Sequence, residues 1–303
     1  MNLQPVPYST MSEGFERFGS DKFQAVFEYI LPTVPFKRIP ELSLLGTLYC
    51  INGSLFPVIN SMQWAKYKTK HKALKLHLNF ELNRMIATEF RVSSGNGSER
   101  KALLQMAKKD VTYIADRGYM SFDLCHQLLD LEAHFIFRVK EKLKYTVTEQ
   151  LKTNLPNNAQ TLFKSVSDEL VCYDNDSNKN IYRLVSFSVN GETFLILTDR
   201  QDLTTYQIIT LYAYRWQIEL LFRFLKRTMN GIHLVKHDSE GVTTQFYAML
   251  IMALLQLRLK QLSLDIYDNA TSSQTDSVNS QADIQENEPS TSAAKFVPPS
   301  KPA

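Results

Sequence analysis

Leu74, Leu76, Leu78, Phe80 and Leu82 alternate with Lys75, His77, Asn79 and Glu81, the clearest period of two in the chain. That period predicts a strand. The run from Ile86 to Val92 follows almost at once and predicts the second arm of a hairpin. Upstream, the apolar stretch Leu44 to Ile51 stops at Asn52-Gly53, which reads as a buried strand running into a turn. Ser98 opens a helix to about Lys108, and Val111 to Ala115 is a short apolar run that stops at Asp116-Arg117-Gly118. Ser121 to Leu131 has Phe122, Leu124, Leu128 and Leu131 in helical phase, and His134 to Val139 is again a strand. The succession predicts an α/β fold with a mixed sheet flanked by helices. Ligands in such sheets gather at the carboxyl ends of strands, where Asn52 and Asp116 fall.

From Lys140 to Arg200 the pattern turns β-rich, with strands predicted at Tyr145–Val147, Leu170–Tyr173, Ile181–Val189 and Thr193–Leu197. Asn190-Gly191 marks the hairpin turn between the last two. Helices are predicted at Phe15–Leu31, Thr205–Thr228 and Phe246–Leu262. From Asp268 onward Ser, Thr, Gln, Asn, Asp and Pro dominate, a composition expected to be disordered because too little apolar surface offsets the ordering entropy. The expected segments are a short helical start at 1–43, a core in two parts at 44–139 and 201–264, a β-rich insertion at 140–200 and a tail at 265–303.

An apolar content of 44% over 303 residues supports one large core or two smaller ones. The net charge of +3 conceals a basic body, since the first 264 residues carry 32 Lys and Arg against 25 Asp and Glu, a charge of +7. Such a body fits a polyanionic partner without requiring one. Cys50, Cys125 and Cys172 lack any C-x-x-C spacing, and the histidines form no H-E-x-x-H pattern, so neither a disulfide framework nor zinc chemistry is expected. The first 20 residues do not read as a secretory signal, and the longest apolar run, Phe246–Leu255, is short of the ~20 residues of a membrane span. A cytoplasmic protein without a membrane partner is expected.

The predicted helix from Thr205 carries Tyr212, Arg215, Glu219 and Lys226. At about 100° per residue these fall within an arc of roughly 60°. Leu220, Phe224, Leu221, Leu225 and Ile218 are expected on the opposite side. A carboxylate between two cations and a phenol suits a metal and a phosphodiester held together, although an Arg215–Glu219 pair at i, i+4 is also an ordinary feature of a solvated helix face.

The spacing of Tyr212, Arg215, Glu219 and Lys226 resembles the Y-R-E-K signature of bacterial insertion-sequence DDE transposases, in the group named after insertion sequence four. The blocks NGSLFPVINSMQWAKYKTKHKALKLHLNFELNRM from Asn52, YIADRGY from Tyr113 and LYAYRWQIELLFRFLK from Leu211 support it, in order and with the β-rich insertion between them. The resemblance implies an RNase H-like fold and a D-D-E triad binding two Mg2+ ions, with Mn2+ as a substitute. It also implies cleavage of double-stranded DNA at transposon ends, joining to a target, and a homodimer in the DNA complex. By the same resemblance Asp116 is the second acid, Glu219 the third, and Tyr212, Arg215 and Lys226 hold phosphates. The first acid belongs at position 52, where this chain has Asn52; an amide supplies no charge against two closely spaced dications, so impaired cleavage is expected. Taken alone, Asn52-Gly53 is simply a turn.

Lys66, Lys68, Lys70 and Lys72, beside Trp64 and Tyr67, form a cationic stretch that either is a solvated face or tracks a DNA backbone. Fifty-one residues precede Asn52, where family members commonly carry a longer end-recognising region, so specific recognition of the ends stays an open question. Two further readings stay open: a related metal-dependent nuclease that cleaves without joining, and an inactive DNA-binding remnant that inhibits intact transposase.

Overall fold

The computed structural model describes residues 7–34, 39–59, 61–68, 71–229, 234 and 236–279. Helices α1 (Tyr8–Arg17), α2 (Ser20–Ile30) and α3 (Pro40–Ser43) precede β1 (Thr47–Val58), β2 (Lys66–Lys68), β3 (His71–Glu81) and β4 (Ile86–Ser94). Then come α4 (Glu99–Met106), β5 (Val111–Ala115), α5 (Phe122–Asp130) and β6 (His134–Arg138). The serines expected to open α4 and α5 do so, since the Ser98 side chain accepts from Lys101 N–H and Ser121 from Leu124 N–H. β7 (Tyr145–Gln150), α6 (Asn157–Gln160), β8 (Lys164–Tyr173), β9 (Ile181–Val189) and β10 (Glu192–Thr198) lead into α7 (Thr205–Tyr214), α8 (Trp216–Met229) and α9 (Ser239–Asn279).

One mixed sheet runs β2-β3-β1-β5-β6-β10-β9-β8-β7, with β4 also paired to β3. β1, β5 and β6 are parallel, while β3 is antiparallel to β1 and β4 pairs antiparallel with β3 on its other side. This large mixed sheet flanked by helices is the α/β architecture expected. The β-rich insertion extends the same sheet, because β10 pairs antiparallel with β6 and carries β9, β8 and β7 outward. Asn190 and Gly191 take positive φ at the β9–β10 turn, as Asn-Gly hairpins require.

The first strand departs from expectation. β1 does not stop at Asn52-Gly53 but continues to Val58, paired residue for residue with β3 from Tyr49↔Glu81 to Val58↔Lys72. Asn-Gly favours a turn only when its flanks can reverse; here Leu55 and Phe56 extend the strand and the antiparallel ladder satisfies its backbone. β3 also differs, because both its faces are covered: His77 and Asn79 are buried beside Leu76 and Leu78. Helix α4 packs over that second face.

Two buried clusters line the two faces of the sheet. Leu48, Cys50, Ile114, Ile136 and Ile196 pack with Ile208, Leu211, Ile218, Phe222 and Leu225 of α7 and α8. Tyr49, Ile51, Tyr113, Phe135 and Phe137 pack with Leu103, Leu124 and Leu128 of α4 and α5. Burial pushes the Cys50 and Cys125 thiols well above the usual range, as expected of cysteines serving as small apolar fillers.

The predicted helix over 15–31 is two helices, broken at Phe18-Gly19, and among its described residues only Phe27 is deeply buried. The last helix starts earlier and ends later than predicted. Among the described residues it is the one helix, over Ser239–Tyr267, long and apolar enough by length and composition to cross a membrane. It contains the apolar run Phe246–Leu255, and Val242, Phe246, Leu250 and Leu254, at helical spacing, join the α7–α8 side core. Phe246 meets Phe56 and Phe90 edge-on or tilted, at 5.7 and 6.0 Å between ring centroids. The chain divides into two units, 1–255 and 256–303, and the described part of the second is the continuation of α9 to Asn279, a stretch free of Gly and Pro. The composition break at 265 therefore does not end the helix; residues 280–303 lie outside the described residues.

Candidate active site

Strand register builds the site. β1 and β5 pair in parallel from Thr47↔Val111 to Cys50↔Ile114, and continuing the same step brings Asn52 level with Asp116. β5 and β6 pair from Thr112↔His134 to Ala115↔Phe137, and one more step brings Asp116 level with Arg138. Alternation then decides the face: Cys50, Ile114 and Ile136 point to the α7–α8 side, so Asn52, Asp116 and Arg138, two residues further on, do as well. Neighbouring strands lie about 4.8 Å apart, so the three form a row across the carboxyl ends of the parallel strands.

Helices α7 and α8 bring the other groups to that row. Thr204 opens α7 with a capping box shared with Gln207. Tyr212 Oη donates to Asp116 Oδ1 at 3.3 Å. Arg215 Nη1 donates to Glu219 Oε1 at 2.6 Å, and the Arg215 guanidinium stands 5.6 Å from the Tyr212 ring centroid. Lys226 Nζ lies 5.6 Å from the Phe56 ring, on the same face of β1 and four residues beyond Asn52.

The predicted single rod is broken by a turn at Arg215, where Arg215 N–H reaches Tyr212 O at 3.1 Å and Ile218 N–H reaches Arg215 O at 3.3 Å. The polar stripe also borders the buried face instead of opposing it. Ile218, Phe222 and Leu225 are buried, while Leu220 and Phe224 are 40% and 48% exposed. Residues that serve a site on the sheet must look toward the sheet, so the apolar residues farthest from them meet solvent.

The electrostatics follow from this crowding. Burial works against the Arg215 charge, but Tyr212, Glu219 and Asp116 outweigh it and hold its pKa above the usual guanidinium range. Burial pushes the Tyr212 phenol up to about 12 against the Arg215 charge, with Asp116 adding to the rise, so it remains a proton donor at neutral pH. Asn52 Oδ1 accepts from Gly53 N–H at 2.8 Å, and Asp116 Oδ1 also accepts from Arg117 N–H at 2.8 Å.

Sequence reasoning passed over Arg138. It donates to Glu192 Oε1 at 2.8 Å and lies over the Phe194 ring at 4.2 Å, and that ring is 6.1 Å from Tyr212. Its signal was its place at the end of a predicted strand, which becomes informative only with the register to Asp116. The lysines fare differently. Lys66, Lys68 and Lys72 are on the β2–β3 hairpin, where Lys72 pairs with Val58, six residues along β1 from Asn52 and so roughly 20 Å away. They are not gathered at the row. Lys70 lies outside the described residues. Arg223, on the signature helix, stacks 5.7 Å from the Trp216 ring.

Among the described residues no three His, Cys, Asp or Glu side chains are grouped to hold a metal. Asp116 and Glu219 nonetheless flank one guanidinium, and one or two carboxylates with phosphate oxygens and water are what one Mg2+ ordinarily takes. The donor set fits one hard dication. A second ion beside β1 would meet at position 52 a single neutral carbonyl oxygen in place of a carboxylate.

The family model described as Transposase DDE domain matches residues 44–255, from the start of the core through the first turns of α9. The chain belongs to the DDE transposase family. "Putative transposase y4zB" of Sinorhizobium fredii (strain NBRC 101917 / NGR234) is 24% identical over 227 residues, covering 72% of this chain and 63% of that protein. "Probable transposase for insertion sequence element IS5377" of Geobacillus stearothermophilus is 20% identical over 253 residues, covering 82% and 66%. The chain thus spans just under two thirds of the length of these relatives. Endonuclease V from Bacillus subtilis aligns over 70% of this chain and 94% of its own at 10% identity, but its TM-score of 0.34 is too low to carry an argument. DDE transposases act on DNA with divalent metal ions, which is the chemistry against which this transposase's row must be judged.

Proposed function

We propose that this transposase engages the phosphodiester backbone of double-stranded DNA at transposon ends through the row Asn52–Asp116–Arg138 and the α7–α8 stripe. Its strand cleavage and transfer are impaired by the amide at position 52. The observation that carries this reading is the convergence of Asp116, Tyr212, Arg215 and Glu219 at the carboxyl end of β5, beside a strand position occupied by Asn52. In this arrangement Asp116 and Glu219 would hold a divalent ion, whose role is to polarise the phosphoryl oxygen and lower the pKa of an attacking water or hydroxyl. Arg215 offers a planar fork to a phosphate, already oriented by Glu219. Tyr212, protonated and bonded to Asp116 Oδ1, steadies that carboxylate, whose other oxygen would be the one to hold the ion. Lys226 supplies a point charge further along the strand track, supported on Phe56.

Asn52 alters the balance. Asp116, Glu219 and Glu192 carry three negative charges against the three positive ones of Arg138, Arg215 and Lys226, with Glu192 paired to Arg138, so the site offsets the charge of even one dication weakly. DNA binding survives that change better than cleavage does, because the phosphate-holding groups are intact. This favours as a second reading a chain that occupies transposon ends and competes with intact transposase. The test is a gel shift paired with a nicking assay in Mg2+ and in Mn2+, using DNA carrying the terminal repeats of the element that encodes the chain. Binding with feeble nicking, lost in Arg215→Ala and Lys226→Ala, is expected. Robust nicking by protein verified by mass spectrometry to retain Asn52 contradicts it.

A further inference from the structure

The acid missing from position 52 has a counterpart on the other side of the sheet. Glu99, the first residue of α4, approaches the same two strand ends from the α4–α5 face. A Cβ at Gly53, the residue after Asn52, would lie 3.2 Å from Glu99 Oε1, and a Cβ at Gly118, two residues after Asp116, would lie 3.1 Å from Oε2. One carboxylate therefore spans both strand ends, in space that exists because both residues are glycine. It does so beyond Cys50↔Ile114, the last pair of the β1–β5 ladder, so no further rung of that ladder stands between Asn52 and Asp116.

The carboxylate is held there from two sides. Lys75 Nζ lies 3.3 Å from Glu99 Oε1 and also donates to Gly97 O at 3.1 Å. The next residue, Arg100, donates to Tyr119 O at 3.1 Å and Met120 O at 2.7 Å, which ties the start of α4 to the chain just after the Asp116 turn. Glu99 keeps 28% of its side chain exposed, so it is not sealed into the Lys75 pair.

We propose that Glu99 supplies a further negative charge felt at the dication site, acting from beneath the ends of β1 and β5 and supporting ion binding where Asn52 contributes no charge. The proposal rests on the reading of Asp116 and Glu219 as the ligands of one divalent ion. Glu99 would let an ion bind despite the amide at position 52 without restoring the ligand that cleavage needs there: a carboxylate positioned against both strand ends lowers the potential at the row from beneath. Lys75 opposes it, and an ion bound beside Asp116 competes with Lys75 for the same charge.

Binding of Mn2+ alone, followed by the loss of the free-ion electron paramagnetic resonance signal, tests this without any activity readout. Glu99→Gln is expected to weaken Mn2+ binding about tenfold or more in the chain as it stands, and less than about threefold in an Asn52→Asp background. Lys75→Met is expected to tighten binding in the chain that retains Asn52, a gain that loss of a structural ion pair does not produce; circular dichroism establishes that each variant is folded. An equal effect of Glu99→Gln in both backgrounds, or no tightening by Lys75→Met, overturns the proposal while leaving Asp116 and Glu219 as ligands. Absence of Mn2+ binding both in the chain as it stands and in its Asn52→Asp variant, or binding unaffected by Asp116→Asn, overturns it together with the reading on which it rests.

Discussion

Replacing Asp168 by alanine tests how the signature helices are anchored. Asp168 of β8 is fully buried and meets Arg183 of β9 twice, with Nε donating to Oδ1 at 2.8 Å and Nη2 to Oδ2 at 2.6 Å. Its Oδ2 also accepts from the hydroxyl of Thr205, the first residue of α7, at 2.6 Å. Arg183 Nη1 in turn donates to Leu203 O, and more weakly to Arg200 O and Gln201 O, on the segment that leads into that helix. Asp168→Ala removes one partner and leaves the guanidinium buried and unpaired, a loss of about 3–5 kcal/mol. At roughly 2–4 °C per kcal/mol for a domain of this size, Tm should fall by about 6–20 °C. Thr205→Val, which removes a single hydrogen bond to a charged group, should cost about 1.5–3 kcal/mol. Urea unfolding with a midpoint read by circular dichroism measures both. A loss below about 1 kcal/mol for Asp168→Ala refutes the claim that this pair holds α7 on the insertion strands.

Other perturbations bear on the site and its surroundings. His77 is buried, and burial with the neighbouring Lys75 charge depresses its pKa to about 4 from an ordinary 6.5. The unfolded chain therefore binds the proton first, and stability present above pH 6.5 falls away toward pH 4, by about 3 kcal/mol in total at 1.36 kcal/mol per pH unit. His77→Gln should flatten that slope in urea titrations across the interval, and an unchanged slope contradicts the assignment. Lys226→Ala should weaken DNA binding and reduce the slope of log K against log salt by about 1, with little change in stability; an unaltered slope means Lys226 meets no phosphate. Arg138→Ala should weaken binding of DNA with a phosphate at the row, and its effect should shrink when Arg215 is already alanine, because both face the same row; strict additivity argues against a shared phosphate.

Much of the fold could be read from local pattern. The β3–β4 hairpin, the serine caps of α4 and α5 and the Asn190-Gly191 turn each follow from a few adjacent residues. What escaped reading depends on partners distant in sequence. Asn52-Gly53 signals a turn, and only the β3 ladder keeps β1 extended through it. Arg138 and Glu99 look like an ordinary strand end and helix start until parallel register and two glycines bring them to Asp116. The polar line of Tyr212, Arg215 and Glu219 was visible as a stripe, yet periodicity alone could not say that its apolar neighbours Leu220 and Phe224 would face solvent.

In the proposed site, the row is completed at β1 by an amide instead of an acid. Its most direct test is a side-by-side cleavage assay of the chain and its Asn52→Asp variant, on DNA carrying the element's terminal repeats, with Mg2+ and with Mn2+. Asn52→Asp is expected to raise cleavage by at least about a hundredfold, equivalent to roughly 2.7 kcal/mol of transition-state stabilisation, with DNA affinity nearly unchanged. Equal cleavage by the two chains would contradict a site disabled by its missing charge.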